Sequence, residues 1–106
     1  MDKRFYEENG YVVIPGAVSR AACEAVIHAI HDFLGTDENN SDTWYGPGRS
    51  NAIVHMHQHQ SLWDNRQNPR VHEAFAELLG TEKLLVSLDR AGFKPPISPE
   101  HPQHED

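Results

Sequence analysis

The chain has 106 residues, a length that suits a single domain. Sixteen acidic residues against nine basic ones give a net charge of -7, which argues against nucleic acid and anionic membranes as partners because both favour a basic surface. No apolar run approaches the roughly 18 residues of a membrane span, and no secretory signal opens the chain. The single Cys23 cannot form an internal disulfide, which favours a cytoplasmic protein.

The first half of the chain predicts two helices with a strand between them. Residues 2–9 predict a short helix that ends at an Asn-Gly pair, a typical left-handed stop. The β-branched and aromatic run 11–14, closed by Pro-Gly, predicts a strand and a turn. Ser19 is then suited to cap a helix that runs to Leu34. The spacing of this helix predicts a buried face made of Ala22, Val26, Ile27, Ile30, Phe33 and Leu34.

The second half predicts a loop, a helical stretch, a strand and a tail. Residues 36–51 are polar apart from a Trp-Tyr pair that we expect to be a hydrophobic anchor. Residues 61–80 predict helix, with Asn68 as a cap before a proline at the first helical position. Residues 84–88 predict a strand that either ends there or continues to Phe93. The expected buried helical stripe comprises Val71, Phe75, Leu78 and Leu79.

These elements predict an α+β fold in which helices pack on a small, incomplete sheet. Two or three strands are too few to close a barrel. We expect residues 1–106 to form one domain, with a Pro-rich polar tail at 95–106. The sheet would keep open edges, and open edges invite pairing with another chain. We therefore expect a homodimer.

Two parts of the sequence resemble the phytanoyl-CoA dioxygenase family. The first is the run FYEENGYVVIPG at residues 5–16. The second comprises QSLW at 60–63, NPRV at 68–71, AELLG at 76–80 and LVSLDRAGFKPP at 85–96, and it is similar to the family segment just ahead of an iron-binding His-x-Asp pair. The resemblance implies the N-terminal portion of a double-stranded β-helix, a jelly-roll fold.

The resemblance also implies chemistry: hydroxylation of a small organic substrate with O2, using iron(II) and 2-oxoglutarate as cofactors. The ending HPQHED matches the family motif directly and makes His104 and Asp106 two of the three iron ligands. In an alternative alignment the Pro-rich stretch precedes the iron pair by several residues. In either case the distal histidine and the 2-oxoglutarate-anchoring arginine would lie further along, so we expect no catalysis by residues 1–106 alone.

Other polar residues have both a functional and a structural interpretation. By resemblance, Arg90 and Lys94 could contact the cosubstrate, and surface charge is the equal alternative. His55, His57 and His59 would share one strand face and could bind a metal, although a solvated face is favoured.

Three residues of the second helix have simpler interpretations. His28 and His31 could join a metal site, but a polar helix flank is favoured. Cys23 lies among small apolar residues, which predicts a buried, inert thiol.

Three functions are therefore open. The first is a part of an iron(II) and 2-oxoglutarate-dependent oxygenase. The second is a non-enzymatic protein that keeps this portion of the fold and self-associates or binds a partner. The third is a histidine-rich metal binder. The sequence alone gives no substrate.

Overall fold

The computed structural model describes residues 1–46, 53–88, 90–97 and 99–100. These residues form a mostly helical arrangement with one small antiparallel sheet. The elements in chain order are helix α1 (Lys3–Asn9), helix α2 (Arg20–Leu34), a 3-10 turn (Ser41–Trp44), strand β1 (Ile53–Val54), helix α3 (Gln60–Arg66), helix α4 (Pro69–Leu79) and strand β2 (Ala91–Gly92).

The helices begin and end where local side-chain chemistry predicts. The Ser19 hydroxyl accepts a hydrogen bond from the backbone N–H of Ala22 at 3.1 Å, which satisfies a donor at the start of α2. Gly35 ends α2 with a φ of 71°, a left-handed conformation that a side chain would oppose. The helical stretch predicted over 61–80 divides at Asn68, whose side chain caps α4 ahead of Pro69.

The core lies where the strand pair meets α2 and α3. The antiparallel register pairs Ile53 with Gly92 and Val54 with Ala91. The buried apolar residues are Ala29, Val54, Met56, Leu62 and Ala91, with Val26, Ile30, Leu34 and Phe93 packed against them. The coarse prediction of helices on a small sheet is therefore confirmed. The described residues form two short strands and no jelly-roll.

The strands predicted over 11–14 and 84–88 are wrong, although the extension of the second one to Phe93 contains the observed strand β2. Residues 11–14 and 84–88 are neither helix nor strand, and the sheet forms instead between 53–54 and 91–92. A strand is stabilised by a backbone partner at the right distance, which a local sequence pattern cannot supply. The two runs have the composition of strands, but no strand lies beside them in the described part of the chain.

The predicted helical faces are buried only in part. On α2, Ile27 and Phe33 are exposed, although Val26, Ile30 and Leu34 do pack on the core. On α4, Phe75 is 54% exposed and Leu79 is 63% exposed. Periodicity correctly predicts amphipathic helices, but burial also needs a neighbouring layer, and the two-stranded sheet is too small to cover both helices. None of the described helices has the length and apolarity to cross a membrane.

Leu62→Ala tests this position of the core. Leu62 is 5% exposed, and emptying such a site costs about 2–4 kcal/mol of unfolding free energy through lost burial and a residual cavity. Ile27→Ala is the matched control. Because Ile27 is 43% exposed, this substitution should lower the unfolding free energy by less than about 1 kcal/mol. Urea unfolding followed by circular dichroism measures both variants. Equal losses would contradict the assigned core.

Candidate functional site

The segment 90–97, called the C-terminal strap, leads from the sheet toward the candidate iron ligands. Ala91 is buried beside Val54 in the sheet, and Phe93 packs against the core. Side chains alternate between faces along an extended segment, so the two residues attach the same face of the strap to the helices.

An aromatic cluster of His31, Trp44 and Phe93 holds the middle of the strap. The Phe93 ring meets the His31 ring edge-on, with 5.4 Å between centroids, and meets the Trp44 ring at 6.2 Å. Such edge-to-face contacts are favourable because the electron-poor edge of one ring meets the face of another. His31 Nδ1 also lies 2.6 Å from the Thr36 hydroxyl. The prediction of a polar helix flank is therefore wrong for His31, which is buried.

A hydrogen bond between distant residues fixes the end of the strap. The Tyr45 hydroxyl donates to the Pro96 carbonyl at 2.6 Å, and the neighbouring Trp44 Nε1–H donates to the Asp37 carbonyl at 2.8 Å. The predicted hydrophobic anchor is confirmed for Trp44 by its ring contacts with His31 and Phe93, whereas Tyr45 is attached by a hydrogen bond. The strap is thus held at Ala91, Phe93 and Pro96.

His104 and Asp106 follow the strap and lie outside the described residues. His104 comes eight residues after Pro96, and eight extended residues span at most roughly 29 Å. The fixed position of Pro96 therefore limits the volume that His104 and Asp106 can reach, but it does not define where in that volume they lie. Their assignment as iron ligands stays a prediction.

Arg90 and Lys94 are exposed, Arg90 immediately before β2 and Lys94 two residues after it. Strand alternation puts them on the face opposite Ala91 and Phe93, on either side of Gly92, which has no side chain to block that face. Neither residue forms an ion pair with a described residue. A guanidinium and an ammonium on one exposed face suit a carboxylate ligand. Cosubstrate binding by these residues stays a prediction.

The three clustered histidines do not share a strand face, so that prediction is wrong. The strand ends at Val54, and the chain turns before α3 begins. His59 caps α3, with its Nδ1 accepting from the Ser61 N–H at 3.1 Å, while His55 and His57 have ring centroids 5.7 Å apart. Among the described residues, no group of three or more His, Cys, Asp or Glu side chains is placed to hold a metal ion.

Two further polar residues of α2 have defined surroundings. His28 Nδ1 lies 2.7 Å from Glu38 Oε2, an exposed contact that joins α2 to the following loop. Cys23 is exposed, so the prediction of a buried thiol is wrong. Cys23 shares a helical stripe with Ile30 and Leu34, which pack on the core, so helical spacing alone did not indicate that its thiol would be exposed.

Sequence reasoning missed three contacts that shape this region. Tyr45 and Pro96 are 51 positions apart, and no local pattern links them. The guanidinium of Arg66 lies 4.5 Å from the centre of the Trp63 ring and donates to the His57 carbonyl at 2.6 Å. The i, i+3 spacing of Trp63 and Arg66 on a helix was a usable signal for the contact between the Arg66 guanidinium and the Trp63 ring.

Comparison with known proteins gives a consistent result. The family model described as phytanoyl-CoA dioxygenase matches residues 6–106. A protein of Dictyostelium discoideum, named "Putative phytanoyl-CoA dioxygenase", is 30% identical over 107 residues. That alignment covers 84% of this chain and 30% of the relative, so the chain spans about a third of the relative's length. No solved structure matches the chain.

Tyr45→Phe tests the attachment of the strap. Removing the hydroxyl deletes its hydrogen bond to Pro96 and should lower the unfolding free energy by about 0.5–1.5 kcal/mol. Hydrogen exchange should accelerate in residues 91–97 while α4 is unchanged. Tyr11→Phe is the matched control, because the Tyr11 hydroxyl has no hydrogen bond to a described residue. Equal exchange of the strap in both variants would contradict this attachment.

Proposed function

Because the chain belongs to the phytanoyl-CoA dioxygenase family, we propose that residues 1–106 supply a helical layer and part of the iron site of a 2-oxoglutarate-dependent oxygenase. The observation that carries the proposal is the family match over residues 6–106, a range that includes both His104 and Asp106. The family implies iron(II) and 2-oxoglutarate as cofactors. Hydroxylation of a small organic substrate by the whole protein is part of the proposal.

The candidate donors fit iron(II) in chemical type. His104 offers an imidazole nitrogen and Asp106 a carboxylate oxygen, which are the donor types of the 2-His-1-carboxylate triad. Residues two apart on a strand point to one side, so both donors could bind one ion. Two donors are one short of the triad, and we infer that the complete site needs a further histidine.

The side chains of the site would bind and position the iron and the cosubstrate, and none of them would react itself. Bound iron would supply the activation of O2 for the hydroxylation. His104 and Asp106 would set two coordination positions, and Arg90 and Lys94 would attract a carboxylate of 2-oxoglutarate. The contacts of Phe93 and Tyr45 support this role because they limit where the residues after Pro96 can reach.

A second candidate function is a non-enzymatic protein that self-associates or binds a partner. The observation in its favour is the exposed apolar surface on α4 and on residues 84–88. The two functions share no candidate iron ligand, because the exposed apolar side chains are separate from His104 and Asp106. No described arrangement favours the histidine-rich metal binder.

Anaerobic titration with Co(II), a spectroscopic probe for iron(II), tests the donor assignment. We expect weak binding by residues 1–106, because two donors hold a labile divalent ion poorly. His104→Ala and Asp106→Ala should each weaken it by at least about tenfold. His55→Ala is the matched control and should leave binding unchanged. Loss of binding in His55→Ala alone would assign the metal to the histidine cluster and contradict the proposal.

The same preparation, loaded with iron(II) and supplied with O2 and 2-oxoglutarate, should form no succinate above the protein-free control. The reason is the incomplete donor set and the missing anchor for the far carboxylate of 2-oxoglutarate. Succinate formation that disappears in His104→Ala would show that residues 1–106 already contain a working site.

Replacing both Arg90 and Lys94 with alanine tests the cosubstrate contact. We expect 2-oxoglutarate to shift NMR signals near Gly92 in the unaltered chain, more weakly as salt increases, because the attraction is electrostatic. The double variant should lose these shifts. Lys83→Ala is the matched control, since Lys83 is an exposed cation outside the strap. If the shifts remain in the double variant, Arg90 and Lys94 do not contact 2-oxoglutarate and are ordinary surface charges.

A further inference from the structure

The exposed apolar residues of α4 and of the segment that follows it form one groove. This groove, of about 520 Å³, has apolar walls that include Val71, Phe75, Leu79, Leu84, Leu85 and Val86. Two side-chain contacts hold the surrounding loops on α4: Arg70 donates to the Gly16 carbonyl at 2.9 Å, and His72 Nε2 lies 3.0 Å from the Glu82 carbonyl. The groove is therefore a built feature of the fold.

The segment Leu84–Leu88, called the open edge, forms one wall of this groove. Leu85 is fully exposed, and Val86 and Leu88 are about half exposed. Within the described part of the chain, the backbone of the open edge makes no hydrogen bond. Uncharged apolar residues with unused backbone donors and acceptors are suited to pair with another strand.

We propose that the open edge pairs antiparallel with the open edge of a second copy of this chain, about a two-fold axis at Val86. This inference goes beyond the proposed function and does not depend on it. In this register each copy sets Leu84 opposite Leu88 of the other and Leu85 opposite Ser87, and Val86 faces its own equivalent. No charge falls inside the five paired positions.

Charge complementarity favours this register and a second copy as the occupant. The register puts Glu82 of one copy opposite Arg90 of the other, and the two-fold axis repeats the pair. Opposite charges across neighbouring strands stabilise their pairing, and like charges destabilise it. The sequence also puts an aspartate opposite Lys83, at position 89, which lies outside the described residues. The run EKLLVSLDR is thus complementary to itself in the antiparallel direction.

A charge-swap experiment tests the pairing. Sedimentation of the full 106-residue chain from about 5 to 300 μM should show a species of twice 12.0 kDa. Glu82→Arg and Arg90→Glu should each weaken dimerisation by at least about tenfold, because each sets like charges face to face twice. The double variant restores opposite charges and should dimerise within about threefold of the unaltered chain. Failure of the double variant to recover would overturn the register.

Cross-linking tests the axis independently, in a Cys23→Ala background. Val86→Cys puts two thiols directly opposite each other, within the roughly 4.4–6.8 Å between Cα atoms that a disulfide spans. Ser87→Cys is the matched control, because its two copies would be offset along the strands and out of reach. Val86→Cys should therefore oxidise to a covalent dimer much faster. Equal rates, or a 12.0 kDa mass at every concentration, would overturn the proposal.

Discussion

The packing of helix α3 on helix α2, completed by the strand pair, is the interaction on which the rest of this structure depends. Ala91 and Ala29 share the core with Val54 and Leu62, and Phe93 extends the contact to His31. Through this contact the second half of the chain is attached to the first, and the strap acquires a fixed starting point.

This small core also has a cost, because it cannot cover every apolar face that the sequence creates. The two-stranded sheet lies on α2 and α3, so α4 and the open edge remain outside. Exposed apolar surface and unused backbone groups are unfavourable in water unless another surface covers them. The chain spans about a third of its Dictyostelium relative. Covering the open edge would therefore be favourable, which is the physical basis of the proposed pairing.

The sequence predicted local features well and long-range features poorly. Ser19 and Asn68 were identified as helix caps because capping depends on residues two or three positions away. The strands were misplaced because pairing depends on a distant partner: Ile53 pairs with Gly92, and nothing in the intervening sequence encodes that register. The runs 11–14 and 84–88 have strong strand composition without a neighbouring strand.

The candidate site shows the same division. The family resemblance, based on the order of several short motifs, is confirmed over nearly the whole chain. The exposed positions of Arg90 and Lys94 follow from strand alternation once β2 is known, but the contacts of His31 and Tyr45 could not be predicted. Both side chains are held by residues that only the folded chain brings near. Periodicity alone assigned His31 to a polar flank.

Concentration-dependent hydrogen exchange tests the central claim most directly. In dilute solution we expect slow exchange in α2 and at the paired strand residue Val54, and fast exchange throughout Leu84–Leu88. In concentrated solution the open edge alone should gain protection, while α1 keeps its dilute rate. Protection of Leu84–Leu88 that is already present in dilute solution, or absent at every concentration, would contradict an open edge that a second copy covers.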